Sequence, residues 1–253
     1  INYCLSEAFI EIEEIDLVVF YDNPIYTLDR IIINGAYTGE KGKSIFKEGV
    51  KSILGEKLWV SDYFRKHFKS AGKNDKVLFC GHHRSHMASS FYPSPFQEAA
   101  IISIDGVGEW ATTSIGVGEG SDIKIIKQIN YPHSLGLLYS AFTYYCGFKV
   151  NSGEYKLMGL APYGEPLYVD QILENLIDLK EDGSYRLSID YFGFLDSEFS
   201  TNDKFHQLFG GNPRISESQI TKKEMDLAAS IQVVTEMVVL KLARYAKEIT
   251  GKS

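Results

Sequence analysis

The sequence has few cysteines, no excess of positive charge and no long apolar run. Its three cysteines, Cys4, Cys80 and Cys146, are odd in number and lack CxxC spacing, which argues against a disulfide framework and a zinc knuckle. The 26 Lys and Arg residues are outnumbered by 33 Asp and Glu residues, giving a formal net charge of -7. This charge opposes the basic field with which nucleic-acid-binding proteins collect phosphates. We therefore expect no nucleic-acid partner and, from the cysteine usage, a reducing cytoplasm.

Three further features are missing, and each excludes a class of protein. No apolar run reaches the roughly 18 residues that a membrane span needs, and the longest candidates, 17–21 and 99–104, are only strand-sized. No basic and apolar leader precedes the first strand. The P-loop pattern GxxxxGK(S/T) does not occur. We expect no membrane span, and any nucleotide site must be built without a P-loop.

The composition is that of a folded globular protein. Hydrophobic residues make up 44% of the chain, and 7 Pro and 22 Gly argue against disorder, collagen and coiled coil. A length of 253 residues suffices for one large domain, and no repeat or low-complexity linker divides it. The chain begins in what resembles the middle of a helix, and no strand follows its last helix. We expect a single α/β domain over 1–253, incomplete at both ends.

Apolar periodicity predicts the order of helices and strands. We expect strands at 15–21, 76–81 and 99–105, and after a turn at 106–108 an antiparallel meander through 111–116 and 123–131. A short strand at 185–189 follows a turn at 180–184. Predicted helices lie at about 1–9, in one or two pieces over 41–69, and at 82–91, 134–145 and 168–179. A Ser/Thr-x-x-Glu capping box at Thr221 begins a long final helix that ends at Gly251, whereas residues 190–220 have no clean period.

Half of the six histidines lie between residues 82 and 86. In a helix, His82 and His86 lie one turn apart on the same face, the spacing with which two imidazoles bind one divalent ion. Asp105, at the end of a strand, can add a carboxylate, and this donor set suits Fe, Mn or Zn more than Ca or Mg. The alternative is that both histidines cap element ends or form core hydrogen bonds. His83 points elsewhere and is expected to be structural.

Two glycines follow Asp105 and form a candidate phosphate-binding turn. At Gly106 and Gly108 the backbone N–H groups can approach a phosphate closely, and the carboxylate can bind a metal. The order strand, Asp-Gly turn, strand recurs in the ATP-binding cleft of the actin, sugar-kinase and Hsp70 superfamily. The same DGxG segment also fits an ordinary type I′ hairpin turn, so both interpretations stay open.

A second glycine-rich segment, at 151–164, holds two charged side chains. Lys156 can neutralise a phosphate or a developing oxyanion, and Glu154 can orient a hydroxyl or a ribose. Both side chains are equally compatible with solvated positions beside a turn. The segment is a candidate ligand-binding loop on composition alone.

Four motifs, taken together and in order, resemble those of the O-carbamoyltransferases of nodulation-factor and antibiotic biosynthesis. They are HHRSHMASSFYPSPF at 82–96, DGVGEW at 105–110, PHSLGLLY at 132–139 and GEYKLMGLAPYG at 153–164. Four motifs in the right order are far more specific than any one of them. The similarity is strong in the final helix and between residues 80 and 180, and weak over 25–75 and 190–220.

The resemblance implies an actin-like, Kae1-like α/β domain of the ribonuclease H-like class, joined in family members to a YrdC-like C-terminal domain absent from 1–253. In the family, carbamoyl phosphate and ATP yield carbamoyl adenylate, whose carbamoyl group passes to the hydroxyl of a sugar or other small-molecule acceptor. The matching metal ligands here are His82, His86 and Asp105, with Fe²⁺ as the expected ion, and Lys156 joins them as a catalytic candidate. The implied nucleotide cleft comprises Gly106, Gly108, Gly153, Glu154, Lys156 and Gly159.

The family pattern continues beyond the last residue of this chain. It adds a buried strand, a glycine-rich nucleotide loop and another Asp for the metal, so we expect 1–253 alone to lack a complete adenosine site and to make no carbamoyl adenylate. Two alternatives are a metal-dependent hydrolase or kinase relative on the same fold, and a non-catalytic binding module. The sequence does not identify the acceptor.

Overall fold

The computed structural model describes residues 1–55, 57–68 and 77–252, which form a mixed α/β structure. The α-helices are α1 (Asn2–Ala8), α2 (Pro24–Thr38), α3 (Lys43–Gly55), α4 (Val60–His67), α5 (His82–Phe91), α6 (Leu135–Tyr145), α7 (Glu154–Leu160), α8 (Val169–Asn175), α9 (Asp203–Leu208) and α10 (Lys222–Thr250). The strands are β1 (Val18–Phe20), β2 (Val77–Phe79), β3 (Glu98–Ile104), β4 (Ala111–Glu119), β5 (Asp122–Asn130), β6 (Ile177–Leu179) and β7 (Tyr185–Leu187). Single-turn 3₁₀ helices lie at Ile12–Glu14, Lys57–Trp59, Ala161–Tyr163 and Ile189–Tyr191. The predicted α/β class is confirmed, and the actin-like arrangement stays a prediction.

The N-terminal part contains helix α2, which the periodicity does not predict. The helix begins where the side chain of Asn23 accepts a hydrogen bond from the N–H of Ile25 at 3.1 Å, with Pro24 in the first turn. An Asn-Pro pair is a typical helix-start signal, so this helix was detectable from sequence. The helices predicted over 41–69 are confirmed as α3 and α4, and residues 56 and 69 of that range lie outside the described residues.

The first strand is shorter and more exposed than the predicted one at 15–21. It pairs in parallel with β2, with Val18 opposite Val77. Within the described residues no third strand joins this pair, and the side chain of Val19 is 57% exposed. The burial predicted for 15–21 is therefore wrong, because two strands alone leave most of both faces open. Residue 76 of the second predicted strand lies outside the described residues.

The three longer strands form an antiparallel sheet in the order β3-β4-β5, which confirms the predicted meander. Alternate side chains of a strand point to opposite faces of its sheet. Accordingly, Ala99 and Ile101 pack under α5, whereas Ala100, Ile102 and Ile104 pack against the larger core on the other face. The same alternation directs Asp105, the residue after β3, toward the face that α5 covers.

Helix α5 approaches the sheet closely because the strand beneath it carries glycine. Gly116 pairs with Ile101, and Gly118 pairs with Ala99 on the same face. A Cβ atom at Gly116 would lie 2.9 Å from the sulfur of Met87, and one at Gly118 would lie 2.7 Å from the ring of Phe91. Real side chains do not approach each other that closely. The absence of a Cβ at both glycines therefore allows the short distance between α5 and β4.

The larger core lies where α6 and α10 pack together over the opposite face of the sheet. Leu138 and Phe142 of α6 are fully buried, as are Leu227 and Ile231 of α10. Burying side chains of this size contributes about 1.5–3 kcal/mol each relative to exposure. This core therefore holds the two helices against the sheet.

Both core helices begin and end as the sequence predicts. The hydroxyl of Ser134 accepts the N–H of Leu137 at 3.0 Å and starts α6. At α10, Thr221 and Glu224 form the predicted capping box, and the helix ends at Gly251 with φ 63°. The left-handed conformation at this position favours glycine, which explains the stop.

The DGxG segment is not the two-residue type I′ turn that its sequence allows. The connection between β3 and β4 spans 105–110, and neither Gly106 nor Gly108 has positive φ, which a type I′ turn requires at both central residues. The loop lies close to the start of α6, where a Cβ at Gly136 would lie 2.7 Å from the carbonyl oxygen of Asp105. The connection is thus a six-residue loop pressed against the start of α6.

The structure corrects one prediction in the C-terminal half and adds a helix where the sequence has no clean apolar period. The helix predicted at 168–179 ends at Asn175, because Ile177–Leu179 pairs with Tyr185–Leu187 as a hairpin whose apolar side chains enter the core. Residues 190–220, which show no period, nevertheless contain α9, begun by the side chain of Asn202. The predicted turn at 180–184 connects the two strands of the hairpin.

We predict that Gly136→Ala destabilises the chain by about 1–3 kcal/mol, because the new methyl group would lie 2.8 Å from backbone atoms of Gly106. Gly159→Ala is the matched control: it lies in α7, a Cβ atom there would meet nothing within 4 Å, and Ala favours a helix over Gly. Urea unfolding followed by circular dichroism measures both variants. Equal stability of the two variants would contradict the close packing of α6 on the 105–110 loop.

Candidate metal centre and adjoining cleft

Three side chains of two different elements converge at the start of α5. The Nε2 atom of His82 lies 2.8 Å from Oδ2 of Asp105 and 3.1 Å from Nε2 of His86, and His86 Nε2 lies 3.8 Å from the same carboxylate oxygen. One ligand atom from each residue falls within 4.8 Å of the others. The structure therefore brings together all three predicted metal ligands, with two nitrogen donors and one oxygen donor close to a common point.

Secondary structure explains this convergence. The predicted helix at 82–91 is confirmed as α5, so His82 and His86 lie one turn apart on one face. Asp105 follows β3 on the face that α5 covers. Its backbone N–H donates a hydrogen bond to the carbonyl oxygen of Thr112 at 2.9 Å. Gly108 allows the loop to pass the imidazole, since a Cβ there would lie 2.1 Å from Cδ2 of His82. The small size of Gly108 thus makes room for a histidine.

The close contact between His82 and Asp105 changes the acidity of both groups. The hydrogen bond from His82 lowers the pKa of Asp105 to about 2, so the carboxylate is ionised at neutral pH. The same bond raises the pKa of His82 above its ordinary value, against the opposite effect of burial. Because the Asp105 carboxylate is ionised, the pair is a charge-assisted hydrogen bond.

Sequence reasoning missed two carboxyl groups near the centre, Glu109, which anchors it, and the adjacent Asp22. The Oε1 atom of Glu109 accepts the backbone N–H of His82 at 3.1 Å and that of Asn23 at 2.7 Å, which ties α5 to the start of α2. Asp22 is 1% exposed and pairs with Lys57 at 3.3 Å. Burial raises the pKa of Glu109, and the adjacent Asp22 carboxyl raises it further. Glu109 lies inside the DGVGEW motif, so its position within that motif was the available signal.

His83 is structural, as predicted. Its ring is buried, and its Nδ1 atom lies 2.7 Å from the hydroxyl of Ser114 on β4. Burial lowers the pKa of His83 to about 4, so the ring is neutral at physiological pH. His83 therefore fastens α5 to the sheet and is not a member of the three-residue cluster.

A cleft of about 860 Å³ opens beside the centre between α6, α7 and α10. Asp105 and Gly106 line one side of it, and Asn151 and Glu154 line another. The N–H of Gly106 donates to Oδ1 of Asp105 at 2.7 Å, so this amide is already bonded within the protein. Asp105 thus belongs to both the three-residue centre and the cleft.

The residues of the glycine-rich segment at 151–164 lie in different surroundings, and only some of them line the cleft. Glu154 enters the cleft at the start of α7, but its carboxylate accepts hydrogen bonds from the hydroxyl of Ser140 at 2.8 Å and the N–H of Asn151 at 3.0 Å. Burial alone would raise the pKa of Glu154, and the bonds from Asn151, Ser140 and Gly153 outweigh it and lower the pKa. Glu154 is thus a fixed, ionised wall of the cleft.

The other members of the predicted nucleotide set lie away from this cleft. Lys156 and Gly159 are exposed on α7, and neither lines the cleft. Gly153 is buried where a Cβ would meet the carbonyl oxygen of Lys149 at 2.7 Å, which gives it a packing role. Only Gly106 and Glu154 of the predicted set face the same space as Asp105.

The structure defines an α/β domain with a His-His-Asp cluster at the mouth of a large cleft, and sequence comparison names its family. The profile of the family described as "Carbamoyltransferase N-terminus" matches residues 1–252. The chain belongs to this carbamoyltransferase family. The family resemblance drawn from the four motifs is therefore confirmed.

Relatives occur in several bacteria. An uncharacterised protein of Synechocystis sp. is 52% identical over 99% of this chain and 42% of its own length. The nodulation protein NolNO of Sinorhizobium fredii is 30% identical over 99% of this chain and 34% of its length. The nodulation protein NolO of Bradyrhizobium diazoefficiens is 31% identical over 67% of this chain and 29% of its length. The chain spans less than half the length of these curated relatives.

Among the described helices, none combines the length and apolarity that crossing a membrane requires.

We predict that the His82–Asp105 pair makes stability depend on pH in metal-free protein. A raised histidine pKa contributes stability below the ordinary value of 6.5, and this contribution is lost as pH rises through the raised pKa of His82. Asp105 stays ionised throughout because its pKa is lowered to about 2. The free energy of unfolding of the chelated wild type should exceed that of Asp105→Asn by about 1 kcal/mol at mildly acidic pH, and the difference should shrink as pH rises.

Urea unfolding in the presence of a chelator, at a series of pH values, measures this difference. Asp178→Asn is the matched control, because its carboxylate pairs with Lys180 at 2.8 Å and with no histidine, so its effect should not vary over this range. A difference for Asp105→Asn that is constant with pH would show that the pair does not hold its proton as inferred.

Proposed function

We propose that the protein containing this chain is an O-carbamoyltransferase that moves a carbamoyl group from carbamoyl phosphate, through carbamoyl adenylate, to the hydroxyl of an acceptor. The observation that carries the proposal is the position of Asp105, which lies in the His-His-Asp cluster and also lines the adjoining cleft. One carboxylate can thereby connect a metal to a bound carbamoyl donor. Family membership supports the reaction class, and the two nodulation proteins are relatives within it.

The cluster fits a divalent metal by its chemistry. Two imidazole nitrogens and one carboxylate oxygen match the ligand preference of iron, manganese or zinc, and we propose Fe²⁺. The side chain of His86 is 51% exposed, so the centre opens toward solvent and leaves room for further ligands. When bound, the metal supplies Lewis acidity toward the carbamoyl oxygen.

The residues of this chain hold the reacting groups in place. Asp105 is ionised at neutral pH, and the Glu109 bond to the backbone of His82 holds the first turn of α5 in place. Glu154 presents a fixed carboxylate on the cleft wall, suited to accept a hydrogen bond from a ribose hydroxyl. These groups orient a donor in the cleft before the acceptor hydroxyl attacks its carbonyl carbon.

The remainder of the reaction belongs to the longer protein. ATP, carbamoyl phosphate and an acceptor hydroxyl of a sugar or other small molecule are its proposed substrates. A YrdC-like domain and a further Asp ligand are proposed to lie in the remainder of that longer protein. The relatives' greater length leaves room for both.

We predict that the metal is held by the two histidines of α5. Full-length protein purified without oxygen should contain about one divalent metal ion per chain. The double variant His82→Ala/His86→Ala should retain little of it, because both imidazole donors are lost and only Asp105 remains of the three donors in this chain. Elemental analysis gives the stoichiometry, and circular dichroism checks that the variant is folded. Carbamoyl transfer from carbamoyl phosphate with ATP should fall in parallel by at least about 100-fold.

His67→Ala is the matched control, because it removes an imidazole from α4 that contacts Tyr63 rather than the cluster. It should keep both the metal and the activity. Retention of stoichiometric metal by the folded double variant would contradict the assignment of the site. Loss of metal with unchanged carbamoyl transfer would contradict the role proposed for the metal in the reaction.

A further inference from the structure

The cleft beside Asp105 is lined by no cationic side chain of the described residues. Its walls carry Asp105 and Glu154 but no Lys or Arg among the described residues that line it. A second cleft of about 770 Å³ adjoins the first and shares Val150, Asn151 and Ser200 with it. A phosphorylated donor that extends from Asp105 along this double cleft would meet positive charge only in the second part.

The second cleft is lined by two cationic residues, but one of them is already committed. The Nε atom of Arg214 donates to the carbonyl of Cys146 at 2.7 Å, and its terminal nitrogens donate to further backbone carbonyls, including that of Ser218. Its guanidinium also lies over the ring of Phe148, 5.3 Å from the ring centroid. Arg214 is therefore a structural clamp for the chain around 214–218.

Lys149 is the other cation, and its ammonium group has no partner among the described residues. Within the described chain, Lys149 forms no side-chain hydrogen bond and no ion pair, and its side chain is exposed at the second cleft. Lys156, seven positions later, is equally exposed and, among the described residues, equally unpaired, but it lines neither cleft. The two lysines therefore differ chiefly in position, which makes Lys156 a natural control for Lys149.

We infer that Lys149, rather than Lys156, binds a phosphoryl group of the donor in this double cleft. The inference rests on the proposed function and names the residue that neutralises the phosphate. A lysine ammonium without a protein partner gives up no existing ion pair when a phosphate arrives. The shared chemistry is a phosphate monoester or anhydride oxygen, which comes either from a nucleotide or from carbamoyl phosphate.

Lysine acetylation in the full-length protein tests this assignment with an internal control. An amine-reactive acetylating reagent is applied with and without ATP, AMP, carbamoyl phosphate or adenosine, each at about ten times its Kd from calorimetry, and peptides containing Lys149 and Lys156 are quantified by mass spectrometry. At this occupancy the acetylation rate of Lys149 should fall about tenfold, and that of Lys156 should not change. Protection by ATP and AMP but not adenosine identifies nucleotide phosphate, and protection by carbamoyl phosphate alone identifies that source.

Variants give a second readout. Lys149→Ala should weaken binding of the protecting ligand about five- to tenfold and reduce the dependence of its Kd on salt, whereas Lys149→Arg should keep most of the affinity. Lys156→Ala should change neither quantity. Bound ligand with no protection of Lys149, or with equal protection of both lysines, would overturn the inference while leaving the proposed function intact. Absence of binding by every phosphorylated ligand would overturn both.

Discussion

The close approach of helix α5 to the β3–β4 face is the constraint on which the site depends. Gly116 and Gly118 place no side chain on that face of β4, so Met87 and Phe91 can pack directly on the strand. The helix is then near enough for His82 to reach Asp105 at 2.8 Å. A larger residue at Gly116 or Gly118 would push α5 away from the sheet. The donor atoms of His82 and Asp105 would then move apart although neither residue had been changed.

The electrostatics of the centre follow from the same packing. Asp105 would be an ordinary exposed carboxylate at a strand end, but the adjacent imidazole holds its pKa at about 2. Glu109 accepts the backbone N–H of His82 and holds the start of α5 to the loop that carries Asp105. Asp105 is thus ionised, and Asp105 and His82 are oriented and supported by neighbouring groups, as metal ligands in proteins generally are. A histidine that only capped the end of a helix would not require the bond to Asp105 or the bond of Glu109 to its backbone.

Several parts of the structure were predictable because they rest on short-range patterns. The α5 helix, the meander and the capping box at Thr221 follow from periodicity and local hydrogen bonds that adjacent residues satisfy among themselves. The errors arose where tertiary contacts override such patterns. The hairpin at Ile177–Leu179 forms because its partner strand and the core bury it, and a six-residue loop at 105–110 stands where the DGxG pattern also allows a two-residue turn.

By itself, the sequence determined the family, the α/β class and the identity of His82, His86 and Asp105 as one candidate set, because these follow from motifs and from helical spacing. The tertiary structure alone decided which charged residues share a space. In the folded chain Lys156 does not line the cleft beside Asp105, whereas Lys149 lines the adjoining one. The fold also brings Glu109 to the backbone N–H of His82. Such choices depend on how a helix rotates against its neighbours, and local sequence carries little information about that rotation.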